Sequence, residues 1–384
     1  MRVLITSTPG TGHIHPLVPV ATALQRAGHI VLWATAQQSL PAVQRFGFET
    51  RAAGLGVPER NPRLREYAPE MLSLPPRQRR PFAFAGLFAH IAGPAMLHDL
   101  TSVAAEFRPD LIVHETAELA AAPLATQLGI PHATVAFSGW LPDDVLAQAV
   151  VAAQPLWASV GHDVPADLGL TTHAYFHPFS EPLGEAPHGA NVHRLRPGLA
   201  DGAGLLDVPE WIDAAGHDRP LVYATYGTEV GGFAPWPAII AALGQLDVDA
   251  VATLGNVTSA DSVGEFPSHV RVAAYVPQSL LLPRAALVIA HGGSGTMLAA
   301  AAHGVPQLLI PGAADQFDNA DAVMAAGVGV SLEGARVNAE AIAIAAGRLL
   351  VDPVVQANTR GLATMQSELP DADAAVTVLA ALVG

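Results

Sequence analysis

Arg2-Val3-Leu4-Ile5-Thr6-Ser7-Thr8-Pro9-Gly10-Thr11-Gly12-His13, read together with the residues that follow it to Thr35, decides the fold. Arg2 to Thr8 is a short apolar run that stops in a Gly-rich turn, as a strand buried on both faces of a parallel sheet does. Pro16 then suits the first position of a helix and Gly28 its end, with Leu17, Val20, Ala21 and Leu24 on one helical face. His29 to Thr35 returns to strand composition. A strand, glycine loop, helix and strand within ~30 residues is the repeating unit of a doubly wound parallel sheet.

Further along, Leu111–Val113 and His132–Val135 read as later strands of the same sheet, separated by a helix near Glu118–Leu128. A second series follows: Leu221–Tyr226, Asp249–Leu254, Arg271–Tyr275, Leu287–Ala290 and Gln307–Ile310 read as strands with helices between them. The expected fold class is therefore α/β, two Rossmann-like doubly wound parallel-sheet domains facing across a cleft, with ligands at the carboxyl ends of the strands. The first domain is expected over 1–195 and the second over 220–370, joined by a linker at 196–219 within an irregular stretch, 184–219, rich in Gly, Pro, His and Asp. The tail 371–384 holds an apolar helix, Ala372–Leu382, free to pack back on the first domain. Gly54–Pro81 carries six of the nineteen arginines (Arg60, Arg63, Arg65, Arg77, Arg79, Arg80) and several prolines. It reads either as a mobile loop or broken helix over the cleft or as a solvated excursion.

Length and composition fit this plan, since 384 residues suit two domains and 51% hydrophobic against 14% charged residues leaves ample material for large cores. Cysteine is absent, which removes disulfides, thiolate nucleophiles and cysteine-ligated metals. All 19 basic residues are arginine, so a P-loop lysine and a pyridoxal Schiff base are excluded. A net charge of −15 argues against nucleic acid as a partner. The apolar run after Arg2 ends at Pro9–Gly10, short of a signal peptide, and no window reaches the ~18 apolar residues of a membrane span. The chain reads as soluble and cytoplasmic, with no integral membrane segment; self-association into a homodimer stays open.

The loop Pro9-Gly10-Thr11-Gly12-His13-Ile14-His15-Pro16 invites a dinucleotide reading and then refuses it. His15 stands where the third glycine belongs, and the second strand ends Thr35-Ala36-Gln37-Gln38 with no acid for a ribose. What remains is a turn presenting His13 at the top of the sheet, where an imidazole is suited to take a proton from a hydroxyl. Such a base needs an orienting acid. Glu115, closing Leu111-Ile112-Val113-His114-Glu115, is the candidate, with Glu118 in reserve; the plainer alternatives are a loop histidine of structural use and an acid set against a helix dipole. In the second half, His291-Gly292-Gly293-Ser294-Gly295-Thr296 follows a strand and opens a helix, which makes a seat for phosphate or a tight structural turn. Gly227 and Thr228 could add donors. Asp315 and Gln316 offer the carboxylate and amide that bind vicinal sugar hydroxyls, or an ordinary turn and cap. An aromatic at Tyr275, a phosphate seat and a polyol clamp, in that order, suit a nucleotide sugar.

Tyr275-Val276-Pro277-Gln278, His291 to Thr296, Gly304-Val305-Pro306 and Asp315-Gln316 together resemble the donor signature of the family 1 glycosyltransferases of the GT-B fold, most of all the bacterial enzymes that glycosylate macrolide and other antibiotic aglycones. Thr11-Gly12-His13-Ile14-His15-Pro16 is similar to that family's acceptor-side loop, so the resemblance spans nearly the whole chain. It implies that Tyr275 stacks on the base, the backbone of Val276 pairs with the base edge and Gln278 contacts base or ribose. It implies further that His291, Gly293, Ser294, Gly295 and Thr296 hold the diphosphate with help from Thr228, and that Asp315 and Gln316 bind the sugar. His13 matches the family's general base, and Glu115 stands where many members have Asp. Ala299 occupies the place where plant relatives keep a Glu for the ribose hydroxyls, which fits a 2′-deoxyribose donor such as a dTDP sugar.

The expected activity is an inverting, metal-independent transfer of a sugar from a nucleoside diphosphate to a hydroxyl of a hydrophobic natural-product aglycone. No carboxylate couple accompanies the glycine turn to bridge Mg²⁺ and phosphates, so no cofactor is expected beyond the nucleotide sugar as co-substrate. Gly12, Phe84, Phe137 and Trp140, with Leu141 and Trp157 nearby, are expected to line the acceptor side or to be core. The alternatives are transfer to a lipid-linked cell-wall precursor, nucleotide-sugar epimerisation and non-enzymatic binding of a sugar nucleotide.

Overall fold

The computed structural model describes the chain except residues 199, 203–209, 213–214, 217, 228–233 and 256–257. The described residues form two compact units. One comprises Met1–Pro178, Glu185–Ala200 and Pro370–Gly384, and the other Phe179–Gly184 and Asp201–Leu369.

The first unit is built on seven strands: β1 (Arg2–Thr6), β2 (Ile30–Thr35), β3 (Glu49–Ala52), β4 (Leu111–Glu115), β5 (His132–Val135), β6 (Ala174–His177) and β7 (Val192–Arg194). They run parallel in the order β3-β2-β1-β4-β5-β6-β7. β1 is covered on both faces. Leu4 points into a layer shared with the helices Gly93–Phe107, Ala121–Leu128 and Asp143–Ala158, while Val3 and Ile5 point into the opposite layer with the helix Val18–Arg26. That alternation is the period-two pattern of a pleated strand inside a sandwich of helices. The helix Val18–Arg26 closes two residues before Gly28, whose φ of +83° only glycine adopts without strain.

The second unit repeats the plan with six parallel strands: β8 (Leu221–Thr225), β9 (Asp249–Thr253), β10 (Val270–Ala273), β11 (Ala285–Ala290), β12 (Gln307–Leu309) and β13 (Gly329–Ser331), ordered β10-β9-β8-β11-β12-β13. In both sheets the chain reverses direction of travel once, between β1 and β4 and between β8 and β11. A crevice opens at the carboxyl ends of the strands at such a reversal, where the two flanking loops part to opposite faces. Each unit therefore has one position at which a ligand site is built by topology alone.

Gly54–Pro81 and the last helix take forms the sequence allows, while other segments differ from their sequence reading. Gly54–Pro81 is a broken helix: Val57–Tyr67, short 3₁₀ turns at Pro69–Ser73 and Pro76–Arg79, then Arg80–Phe84 running into a π-helical stretch at Ala85–Ala92. Val192–Arg194, inside the stretch read as irregular, pairs with β6 as the edge strand. Phe179–Gly184 and Asp201 onward belong to the second unit, whereas the last helix, Ala372–Val383, belongs to the first. That helix buries Ala375 and Leu379 in the layer of Val18–Arg26, and Asp373 pairs with Arg26.

The first sheet also buries a histidine pair. His114 Nε2 lies 3.1 Å from His132 Nδ1, and His114 Nδ1 lies 3.1 Å from the Glu115 carbonyl oxygen. Burial pulls His114 down to about 4 and His132 well below its usual range, and burial likewise brings His177 and His291 to about 4. These rings stay neutral in the fold but charge in the unfolded chain below ~6.5, so the unfolded state binds more protons and stability falls with pH from there towards 4. Glu118, pushed up to about 7 by burial, acts in the opposite sense between about 7 and its ordinary value. Four histidines against one carboxyl set the net sign: Tm is expected to drop by roughly 5 °C or more between pH 7 and pH 5, followed by circular dichroism. A flat profile would contradict neutral burial of these rings.

Candidate active site

β1 and β4 are hydrogen-bonded neighbours, with Thr6 opposite His114, so the loop after β1 and the last residue of β4 emerge side by side at the first reversal point. The chain leaves β1 through Pro9 and Gly10, whose φ of +117° turns it into the short helix Thr11–Ile14. This places His13 Nδ1 3.2 Å from Glu115 Oε1. Glu115 is wholly buried and fully engaged. Oε1 accepts from Thr8 Oγ1 (2.8 Å) and Thr8 N (3.2 Å), and Oε2 accepts from Ala117 N. Burial alone would push this carboxyl up, but the His13 charge and the donated hydrogen bonds outweigh it and hold the group below the ordinary carboxylate range. The Glu115 carboxylate, 3.2 Å from Nδ1, leaves Nε2 as the ring nitrogen it does not meet.

Glu118, the other carboxylate weighed for this role, faces elsewhere: Oε2 accepts from Thr6 Oγ1 and Oε1 from Ala120 N. Aromatic rings wall the imidazole. Phe137 stands edge-on at 4.8 Å between centroids and Phe88 is tilted at 5.7 Å, with Phe84 a further 5.1 Å from Phe88. Phe88 lies on the π-helical stretch Ala85–Ala92, and no motif or spacing in the sequence marks it as a neighbour of His13. Trp140 is placed differently: its ring meets Tyr175 edge-on at 5.3 Å and packs on the core. Leu141 and Trp157 are core residues. Gly12 is exposed, and a Cβ there would meet nothing within 4 Å.

In the second unit, β8 ends at Thr225 and β11 at Ala290, again neighbours at the reversal point. His291 is buried with its ring against Tyr226 (5.5 Å). It is roofed by two glycines: a Cβ on Gly293 would lie 2.4 Å from His291 Nε2 and one on Gly227 3.0 Å from Cε1. Gly292, at φ +85°, turns the chain into the helix Ser294–Ala302, whose first N–H groups, Ser294, Gly295 and Thr296 among them, have no intrahelical acceptor. Asp315 follows Ala314, a non-glycine residue at φ +53°, a strained conformation of the kind kept where a side chain must be aimed. Its Oδ2 accepts from Ser294 Oγ (2.8 Å) and Asn319 Nδ2 (3.1 Å). Gln316 Oε1 accepts from Gly312 N (2.9 Å) and Ala313 N (3.1 Å). The pair is thus left with Asp315 Oδ1 to accept and Gln316 Nε2 to donate, a pattern that matches adjacent hydroxyls.

Tyr275 is 37% exposed, and its hydroxyl donates to the Asp201 carbonyl oxygen (2.7 Å), which fixes the ring plane. Asp201 also accepts from Ser279 N (2.7 Å) and Ser279 Oγ (3.1 Å) at the start of the short helix Gln278–Leu281. Val276 has its side chain in the core, so only its backbone can serve a ligand. Gln278 Oε1 is buried and has no hydrogen-bond partner among the described residues. Ala299 is buried in the core of the unit. Thr228 lies outside the described residues. The structure thus gathers His291, Gly293, Ser294, Gly295, Thr296, Asp315 and Gln316 around one turn. Asn319 is bonded to the turn and Asp315, and Asp201 to Tyr275 and Ser279, contacts that nothing local in the sequence marks.

Residues 237–382 match the model of the erythromycin biosynthesis protein CIII-like C-terminal domain. The chain is 34% identical over 352 residues to the L-demethylnoviosyl transferase of Streptomyces niveus, covering 86% of this chain and 85% of the relative. Among solved structures it is similar to the glycosyltransferase SsfS6 of Streptomyces sp. SF2575 complexed with thymidine diphosphate (TM-score 0.77, 26% identity, 98% and 99% of the two chains). It is also similar to the spinosyn rhamnosyltransferase SpnG complexed with spinosyn aglycone (TM-score 0.82, 25% identity, 99% and 100%). Among the described residues no helix is long and apolar enough to cross a membrane. With two doubly wound units, each carrying its polar cluster at the reversal point, and with relatives of this kind along its length, the chain belongs to the GT-B natural-product glycosyltransferases, enzymes that draw on a nucleotide-activated sugar.

Proposed function

We propose that this enzyme moves a sugar from a dTDP-linked donor to a hydroxyl of a hydrophobic natural-product aglycone, with inversion and without a metal ion. The His13–Glu115 pair, walled by Phe88 and Phe137, is the observation that carries the reading. An acceptor hydroxyl gives its proton to His13 Nε2 as its oxygen attacks the anomeric carbon opposite the leaving diphosphate. Glu115 stabilises the imidazolium that forms. The transition state has oxocarbenium character, as in glycoside hydrolysis. Negative charge growing on the diphosphate meets the N–H groups that open the helix Ser294–Ala302, already oriented before reaction. The rings beside His13 give an aglycone an apolar surface next to the base.

A thymidine donor is supported by Ala299, which offers no carboxylate to a 2′-hydroxyl, and by the thymidine diphosphate complex of SsfS6. Independence from metal is supported by where the Asp-x-Asp pairs lie. Asp247 and Asp249 pair with Arg219 at 3.6 and 2.6 Å at the amino end of β9. Asp371 and Asp373 sit at the start of the last helix, paired with Arg196 and Arg26. Neither couple is beside the glycine turn.

Calorimetric titration with dTDP against UDP, then assay of an aglycone panel with and without chelator, tests the reading; retention of anomeric configuration in the product would overturn the mechanism. Asp315→Ala is expected to weaken binding of a dTDP sugar ~10-fold or more, the worth of a hydrogen bond to a charged group, while changing dTDP binding less than ~3-fold. Equal losses for both would contradict the sugar-binding role of Asp315.

A further inference from the structure

Asn319 is 2% exposed on the helix Gln316–Ala325, and its single amide nitrogen has three acceptors: the Gly292 carbonyl oxygen (2.8 Å), Ser294 Oγ (2.8 Å) and Asp315 Oδ2 (3.1 Å). An amide has two hydrogens, so one goes to the turn and the other is shared between the serine and the carboxylate. Ser294 Oγ closes the triangle by donating to the same Asp315 oxygen at 2.8 Å. Two pieces of chain more than twenty residues apart, the turn at 292–294 and the residue at 315, are thus joined through one buried side chain.

We infer that Asn319 is a positioning residue for the sugar end of the donor site. It clamps Asp315 Oδ2 so that Oδ1 is held in register with the diphosphate turn. This rests on the donor reading above. Asn319 donates to the carboxylate oxygen that the sugar does not use, and it acts through Asp315. At the diphosphate seat Asn319 meets only the Gly292 carbonyl and the Ser294 hydroxyl, whereas the N–H groups that face an anion are fixed by the helix Ser294–Ala302 itself. Loss of the amide would therefore free the carboxylate to swing while leaving the anion seat standing.

The test is calorimetric titration of wild type, Asn319→Ala, Asn319→Asp, Asp315→Ala and the Asn319→Ala/Asp315→Ala double variant with dTDP and with dTDP-glucose. Aspartate fills the same space as asparagine but turns an acceptor towards two acceptors, so it separates hydrogen bonding from packing and serves if alanine leaves the chain unfolded. Both single Asn319 variants are expected to lose ~10-fold or more in Kd for dTDP-glucose and less than ~3-fold for dTDP, whose retained binding shows the site is folded. In the Asp315→Ala background, removing Asn319 is expected to add little, since the carboxylate it aims is gone. Additive losses, equal losses for both probes, or an Asn319→Asp variant like wild type would overturn this inference alone. A wild-type protein that binds neither probe would overturn the donor reading and this inference with it.

Discussion

His13→Ala is expected to lower kcat for transfer to a hydroxyl acceptor by ~10²-fold or more, the contribution of a positioned general base. Donor binding should be unaffected, because every donor-side residue described belongs to the other compact unit. Alanine at this position leaves Glu115 with its Thr8 and Ala117 partners, while the acceptor hydroxyl loses the imidazole that takes its proton. The variant should therefore stay folded, which makes the kinetic loss interpretable. Single-turnover assays with saturating donor would measure it. Near-normal turnover on the true acceptor would remove His13 from the mechanism.

The second large effect is expected at Glu115, and glutamine is the sharper probe because it keeps the shape. Each carboxylate oxygen accepts a backbone N–H, one from Thr8 and one from Ala117. A glutamine amide must therefore set its own N–H₂ against one of these donors, whichever way it is flipped. Two Thr8 donors against one from Ala117 favour the oxygen on the Thr8 and His13 side, where the shape is kept but the negative charge that stabilises the imidazolium is gone. The other flip turns N–H₂ towards His13 Nδ1 and selects the opposite tautomer. Glu115→Gln should cost kcat ~10²-fold or more and lower stability by about 1–3 kcal/mol, the penalty for a buried donor left without an acceptor. Both are read on the same preparation, by transfer rate and thermal melting. A wild-type rate in that variant would show that the carboxylate does not orient the imidazole.

Much of this was legible in the sequence, for physical reasons that vary along the chain. β1, β4, β8 and β11 are buried on both faces and so read as unbroken apolar runs ending in turns, which placed His13, Glu115 and the turn at 291–296 at strand ends. β3 was missed because Glu49-Thr50-Arg51-Ala52 is a largely exposed edge strand held by backbone pairing to β2, which leaves no mark on side-chain composition. Sequence put Glu115 ahead of Glu118 as the partner of His13 but kept Glu118 in reserve, because the choice is made by Thr6 and Thr8, each of which takes one of the two carboxylates. Phe88 was hidden because no motif or spacing marks it as a neighbour of His13. Asn319 was hidden by distance from the turn, since two of its acceptors lie at 292 and 294 while Asp315 is one helical turn away.

The last helix carries one more consequence, for the order in which the molecule can be completed. Ala375 and Leu379 cover the same apolar layer as Leu17, Val20 and Leu24, yet the ribosome makes them only after the whole of the second unit. During synthesis the N-terminal sheet must wait, with that flank bare to water, for some 170 residues of the second unit to emerge, on the order of ten seconds or more at ordinary elongation rates. A chain stalled or clipped before residue 372 would thus show its defect not where the cut is but in the half that was made first.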